Sequence, residues 1–236
     1  MTNNQGSYQG GQGMDYTVDM VFCIDATGSM EDFTGSQTRI INMVKKNALN
    51  FYSDLNEAMT EKSKAIRQLR VRIVAFRDYV ADGADAMLVT DFFMLPQQAE
   101  EFEACVNSIT AAGGGDVPED GLEALAYAIR SDWTDETAKK RHVIVVWTDA
   151  DTHEIGFGKK SEFYPSGMPQ SMSELNDWWD EMNENSKRLI MFAPDENYWN
   201  YISNNWENVV HFPSVAGNGL AETSYGEILS AIANSV

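Results

Sequence analysis

Cysteine, histidine and basic side chains are all scarce in this chain of 236 residues, with 2 Cys, 3 His and 17 Lys plus Arg. Neither Cys23 nor Cys105 belongs to a CxxC pair. Cys23 falls in a buried strand pattern and Cys105 in a helical one, so free buried thiols are expected. A disulfide between them stays open, although a reducing compartment argues against it. Basic residues are outnumbered by 36 Asp plus Glu, which sets the formal net charge at −19. Such a chain repels phosphate backbones and anionic lipid, so neither nucleic acid nor a membrane surface is an expected partner. No run of about 18 uncharged apolar residues occurs, which argues against a membrane-spanning helix. Residues 1–13 are Gly, Gln, Asn and Ser without an apolar core, so they read as neither signal nor transit peptide, and the cytoplasm is the expected compartment. There is no phosphate-binding G-x-x-x-x-G-K-[ST] run, no Ser-His-Asp signature and no cysteine in a polar setting suited to a nucleophile.

What is present is apolar and regularly patterned. Hydrophobic residues make up 43% of the chain, enough for a sizeable core. Strands are predicted at Thr17–Ile24, Leu69–Phe76, Ala86–Phe92, Val143–Trp147, Arg188–Ala193 and Val209–Phe212. Helices are predicted at Thr38–Glu57, Pro96–Ile109, Pro118–Ser131, Met172–Asn183, Trp199–Trp206 and Tyr225–Ala233. This alternation predicts a doubly wound α/β fold, with a mostly parallel central sheet and helices on both faces. No internal repeat or domain linker stands out, so the expected organisation is a flexible tail over 1–15 and a single domain over 16–236. Gly156–Pro169 is one long irregular stretch just after a strand, where functional loops lie.

The most informative stretch is Asp25-Ala26-Thr27-Gly28-Ser29-Met30, directly after the first strand. Asp, Thr and Ser at alternate positions place three hard oxygen donors together, a set that suits Mg²⁺, Mn²⁺ or Ca²⁺ rather than Zn²⁺ or copper. A helical pattern follows and adds backbone N–H groups to the same place. Three other loops bring carboxylates to this edge: Phe76-Arg77-Asp78-Tyr79, Asp116-Val117-Pro118-Glu119-Asp120-Gly121, and Trp147-Thr148-Asp149-Ala150-Asp151-Thr152-His153. Each has an ordinary explanation alone. Acids favour a helix's first turn, and Asp149 suits a turn or cap. Together they are harder to explain, because clustered carboxylates without a cation raise one another's pKa and cost stability.

On these residues the chain resembles the von Willebrand factor A family, whose metal-ion-dependent adhesion site is built from a D-x-S-x-S loop, a middle-loop residue and a later Asp. Asp25, Thr27 and Ser29 match the first element, with Thr keeping the hydroxyl of the usual Ser, and Asp149 matches the last. The middle loop, with Asp116, Pro118 and Glu119, is similar to the integrin β-subunit form, which uses its Glu as a ligand. Some intracellular members attached to atypical kinases carry a similar G-G-G-D-x-P-E-D run. The resemblance implies Mg²⁺ (or Mn²⁺) held by Thr27, Ser29 and Glu119, with Asp25 and Asp149 acting directly or through water. It implies a second, Ca²⁺-preferring site at Asp116, the Pro118 carbonyl and Glu119, with Asp78 as an addition, and more weakly a further cation near Asp32. The competing explanation for Asp116 is that it caps the helix predicted from Pro118.

The function so implied is recognition rather than catalysis. An open metal position would take a partner protein's Glu or Asp carboxylate, with a link to a kinase or phosphatase signalling system. The rival is a metal-dependent hydrolase of a phosphoester, with His153 near Asp149 as base. A third reading is a passive subunit whose metal only holds loops. Phe157, Phe163 and Tyr164, on the irregular stretch, are the aromatic residues placed to rim such a site.

Overall fold

The computed structural model of the protein describes residues 14–31, 40–61, 64–115, 117–135, 139–214, 230 and 233–234. Within them a seven-stranded sheet is ordered β3-β2-β1-β5-β6-β7, with a short β4 also paired to β2. The strands are β1 (Met14–Asp25), β2 (Lys64–Phe76), β3 (Met87–Val89), β4 (Phe93–Leu95), β5 (Lys140–Trp147), β6 (Lys187–Pro194) and β7 (Val209–Ser214). The helices are α1 (Ile40–Glu61), α2 (Tyr79–Asp82), α3 (Ala99–Ser108), α4 (Gly121–Ile129), α5 (Met172–Glu181) and α6 (Asn197–Asn205). β1 lies parallel to β2 on one side and to β5 on the other. β5–β6 and β6–β7 are also parallel, while β3 and β4 run antiparallel to β2.

Strand alternation divides β1 between two cores. Val18, Met20, Phe22 and Ile24 face one cluster, shared with Val44, Leu55 and Met59 of α1 and with Phe102 and Val106 of α3. Val21 and Cys23 face the other, with Leu122 and Leu125 of α4, Trp179 of α5, and Trp199 and Ile202 of α6. A strand covered on both faces is apolar at nearly every position, so its sequence reads as a run rather than an alternation, and a buried exception, Asp19, is paired with Arg70 at 2.7 Å. The helices therefore lie on both faces, as the sequence pattern predicts. Among the described residues no helix is long and apolar enough to cross a membrane.

Boundaries moved in instructive places. β1 begins at Met14 rather than Thr17, because Met14 and Asp15 pair with Lys64 and Ala65 of an equally lengthened β2. The single strand predicted over 86–92 is two short antiparallel pieces, β3 and β4, on either side of Thr90, Asp91 and Phe92. The helix predicted from Pro118 starts at Gly121, with Asp120 in the cap position. Most of the closing helix predicted at Tyr225–Ala233 lies outside the described residues, as do residues 1–13 and Asp32.

At one edge the chain turns from β1 to β2 on one side, and later returns to β5 on the other. β1 and β5 are thus neighbours whose following loops diverge, and their carboxyl ends form the crevice where open α/β sheets bind ligands. Asp25 closes β1, and Asp149 stands two residues beyond β5.

The two cysteines lie on opposite faces of the sheet, Cys23 in one cluster and Cys105 against the other, and both are free thiols. Burial pushes both thiols upward, Cys23 far beyond the ordinary range. Native protein titrated with an aromatic disulfide reagent without reductant should release at most the half-buried Cys105 thiol, and guanidinium should release both. Fewer than two thiols after unfolding, or rapid reaction of both before it, would contradict this placement.

Candidate metal centre

The backbone turns sharply after Asp25, and a short 3-10 turn over Gly28–Glu31 follows. That turn folds the D-x-T-x-S segment onto itself. Asp25 Oδ1 accepts the Thr27 N–H at 2.9 Å and the Thr27 hydroxyl at 2.6 Å. Its other oxygen accepts the Thr148 hydroxyl at 2.6 Å. Ser29 donates its hydroxyl to Asp149 Oδ1 at 2.8 Å. The loops after β1 and β5 are thereby joined through two hydroxyl–carboxylate bonds, Ser29 to Asp149 and Thr148 to Asp25.

One distance decides what this arrangement is suited to. Thr27 Oγ1 and Ser29 Oγ stand 3.2 Å apart. Each hydroxyl has a single proton, and both protons are already donated to carboxylates. With the hydroxyl protons on these shorter bonds, the two oxygens present lone pairs to the space between them. Neighbouring ligands of an octahedral Mg²⁺ with bonds of about 2.1 Å stand ~3 Å apart, so the spacing suits one cation bound by both hydroxyls.

Glu119 comes from the middle loop. Its backbone is locked to the loop after β5 by a parallel bridge to Thr152, by Glu119 N–H donated to the Asp151 carbonyl at 3.1 Å, and by His153 N–H donated to the Glu119 carbonyl at 2.8 Å. Its side chain is turned toward Thr27. A Cβ placed on Gly114 would stand 2.8 Å from Glu119 Oε1 and 3.2 Å from Thr27 Cβ, so this glycine is wedged between them. Gly114 has φ +77°, a conformation glycine adopts without steric cost. Glu119 Oε2 is buried and accepts no hydrogen bond.

Carboxylate crowding leaves a clear electrostatic mark. Burial first, then the charges of Asp25, Asp78, Asp82 and Asp120, raise Glu119 to about 9. Burial and the neighbouring Asp149 raise Asp25 to about 6, against the lowering effect of its hydrogen bonds from Thr148 and Thr27. Glu123, one turn into α4, is raised to about 7 by burial and Asp120. Among the described residues no three His, Cys, Asp or Glu side chains form a metal-binding cluster by themselves. The oxygen set that fits a hard cation is mixed: two hydroxyls, their two carboxylate acceptors and the orphaned Glu119 oxygen.

The other sequence-nominated residues fall differently. Asp78 caps α2, its Oδ1 accepting the N–H groups of Val80 and Ala81. Its Oδ2 faces His153 Nδ1 at 3.7 Å. Pro118 is half-buried beside Glu119, and Asp116 lies outside the described residues. His153 faces the carboxylates of Asp120 and Asp78. It is buried, its Nδ1 lies 3.3 Å from Asp120 Oδ1, and its ring stacks on Phe157 at 3.8 Å. Phe157 and Phe163 are exposed, whereas the Tyr164 hydroxyl is donated inward to Glu123 at 2.9 Å.

Sequence reading missed the residues that brace the centre. Thr148 fixes Asp25, and its only signal was a hydroxyl residue beside Asp149. Arg77, between two nominated residues, donates to the carbonyls of Ala26, Asp85 and Thr110, tying three loops together. Trp199 of α6 donates its indole N–H to the Ala150 carbonyl at 3.1 Å. The glycine triplet, too common a feature to interpret alone, supplies both Gly114 and the Gly113 carbonyl that accepts Gly28 N–H at 3.1 Å.

Comparison with known proteins bears on the fold. The family model described as von Willebrand factor A domain matches residues 19–160. The alpha-protein kinase vwkA of Dictyostelium discoideum is 25% identical over 155 residues, covering 66% of this chain and 22% of the kinase. The pilus adhesin SpaC from Lactobacillus rhamnosus GG superimposes with a TM-score of 0.55 at 14% identity, over 92% of this chain and 30% of the adhesin. The PilB minor pilin from Streptococcus sanguinis does so at 0.56 and 14%, over 95% of this chain and 62% of the pilin. The chain spans less than two thirds of each of these proteins, and the structural likenesses speak for the fold alone.

The raised carboxyl groups dictate a pH dependence. An acid whose folded pKa exceeds its unfolded value keeps its proton on folding. The stability it lends is complete below the unfolded pKa and is lost as pH rises through the folded one. For Asp25, Glu123 and Glu119 that window runs from about 4 to about 9. Metal-free protein in EDTA should therefore melt at least ~2 °C lower at pH 8 than at pH 5. Added Mg²⁺ should raise the melting temperature more at pH 8, because the ligands must first lose protons. A flat or rising profile in EDTA, with equal Mg²⁺ shifts at both pH values, would contradict the cluster.

Proposed function

Since the chain belongs to the von Willebrand factor A domain family, whose members generally serve as protein–protein interaction modules, we propose that it binds a Glu or Asp carboxylate of a partner protein through a divalent cation at this sheet edge. The observation that carries the reading is the facing pair of hydroxyl oxygens on Thr27 and Ser29, with both protons committed elsewhere. In this proposal Thr27, Ser29 and Glu119 hold Mg²⁺ or Mn²⁺, and Asp25 and Asp149 orient the hydroxyls. The cation supplies a local positive charge on a chain of net charge −19, converting a surface that repels acids into one that receives them.

The chain's own residues favour binding over turnover. A hydrolase needs a base in reach of the attacking water. His153, the nominated base, is instead held between Asp120 and Asp78 and covered by Phe157. The passive-subunit reading is separated from ours by whether a carboxylate ligand binds only when metal is present. A cytoplasmic setting and a link to kinase signalling belong to the same proposal, supported by the two free thiols and by the kinase relative. A second, Ca²⁺-preferring site at Asp116, the Pro118 carbonyl and Glu119 is also proposed. Asp78 fits it only through Oδ2, because Oδ1 caps α2.

Titration calorimetry on the whole chain tests these assignments. Asp149→Ala, and Thr27→Ala combined with Ser29→Ala, should each lower Mg²⁺ affinity tenfold or more while metal-free melting changes little. Asp116→Asn should lower Ca²⁺ affinity alone. Undiminished Mg²⁺ binding in both first variants would show that these residues are not the ligands. A single divalent site indifferent to Asp116→Asn would remove the second cation. Mg²⁺-dependent hydrolysis of p-nitrophenyl phosphate, lost in the Asp149 variant, would favour the hydrolase instead.

A further inference from the structure

Seven large hydrophobic side chains are markedly exposed among the described residues, and four of them, Val80, Val117, Phe157 and Phe163, lie on the loops of the candidate metal face. Val80 and Phe163 flank one groove of about 440 Å³, walled by α2 on one side and the loop after β5 on the other. Phe163 lies over Gly83, where a Cβ would stand 3.2 Å from its ring, and Tyr79 forms part of the wall. The groove adjoins the carboxylate cluster directly. Asp82 lines it and accepts the N–H of Gly114 at 3.0 Å, and Gly114 is the residue wedged between Thr27 and Glu119.

The groove is held in shape by its own loop. Glu123 Oε1 accepts the Gly156 N–H at 2.8 Å and the Tyr164 hydroxyl at 2.9 Å. Tyr164 packs edge-on against Tyr79 with ring centroids 5.3 Å apart. Gly158 lies so close to Tyr79 that a Cβ there would stand 2.8 Å from Tyr79 Cβ. A preformed groove binds without an ordering cost. Its charges also carry information. Asp82 is engaged by the N–H groups of Gly114 and Asp78, and Glu162 is exposed on the rim. Lys160, exposed at the end of the 3-10 turn, lines the groove, in a chain where acids outnumber bases 36 to 17.

We infer that this groove is a specificity pocket for an extended acidic segment of a partner protein, which seats a large apolar side chain between Val80 and Phe163 and turns its acidic flank toward Lys160. The inference rests on the proposed metal-dependent reading, because the segment's own carboxylate occupies the neighbouring cation. An extended chain advances about 3.3 Å per residue, so three residues span about 10 Å, and the inferred pose places the apolar side chain within that reach of the carboxylate. Exposed apolar surface beside a polar site is what a partner's anchor residue covers.

A positional library of acetylated, amidated octapeptides with a fixed central Glu, probed on the immobilised whole chain, tests the inference in Mg²⁺ and in EDTA. The expected result is Mg²⁺-dependent selection of Leu, Met, Phe or Trp within three positions of the Glu, with acids enriched beyond it. Val80→Ser with Phe163→Ser should weaken the best peptide roughly tenfold or more and erase the apolar preference, while the requirement for Glu and Mg²⁺ persists. Both side chains are about half exposed, at 54% and 50%, so the core is spared, and unchanged metal-free melting confirms it. Mg²⁺-dependent selection of Glu with no apolar preference, or a double variant that selects like the parent, overturns the groove while leaving the metal reading intact. Apolar selection that survives EDTA and ignores the Glu overturns the coupling between the two. No Mg²⁺-dependent selection at all contradicts the metal reading and the pocket with it.

Discussion

Two hydroxyl oxygens 3.2 Å apart, each with its proton turned away toward a carboxylate, set the terms for the whole upper edge of the sheet. The arrangement concentrates oxygen lone pairs and acidic groups where little water reaches. Asp25, Glu119, Asp120 and Glu123 are nearly or fully buried. Burying acids without cations is unfavourable, and proteins meet the cost by protonation or by a bound ion. Arg77, on the loop after β2, gives its guanidinium to three backbone carbonyls. The fold thus leaves the cluster to be neutralised by protons or by an added cation, which ties stability, pH and divalent metal together.

The sheet makes this arrangement rigid. β1 and β5 are packed on both faces, and Asp25 and Asp149 stand at or just beyond their carboxyl ends. The loops that complete the centre are tied to those ends and to each other by backbone bonds, Ala26 N–H to the Phe76 carbonyl at 2.9 Å and Ala112 N–H to the Ala26 carbonyl at 3.0 Å. From the far face, Trp199 lies over Gly121, where a Cβ would stand 2.7 Å from its ring. A helix packed from below thereby fixes both the start of α4 and the loop after β5.

The fold was legible because its signal is apolar patterning, which follows from burial on both faces of a parallel sheet. β5, β6 and the first core-facing turns were readable for that reason. α2 was not, since four residues carry no periodicity, and β3 with β4 merged because both are short and share one apolar stretch. At the site, Asp25, Thr27, Ser29 and Asp149 were legible from spacing along two loops, and the structure joins them by hydrogen bonds. Glu119 was nominated through resemblance, and its place beside Thr27 depends on Gly114, a residue whose role lies in its lack of a side chain. Asp120 taken alone reads as part of a solvated helix start, and Glu123 carries no signal of its own. They are buried because the loop after β5 folds over them, a long-range contact that no local pattern encodes. His153 is a hydrogen-bonded loop residue whose partner Asp120 is 33 residues away, a pairing that local pattern equally does not encode.

Anomalous diffraction from crystals grown in Mn²⁺ tests the central claim most directly. The account predicts a manganese peak within coordination distance of Thr27 Oγ1, Ser29 Oγ and a Glu119 carboxylate oxygen, with Asp25 and Asp149 still accepting the two hydroxyl protons. A map with no peak there, or a peak elsewhere on the chain with Thr27 and Ser29 turned apart, would contradict it.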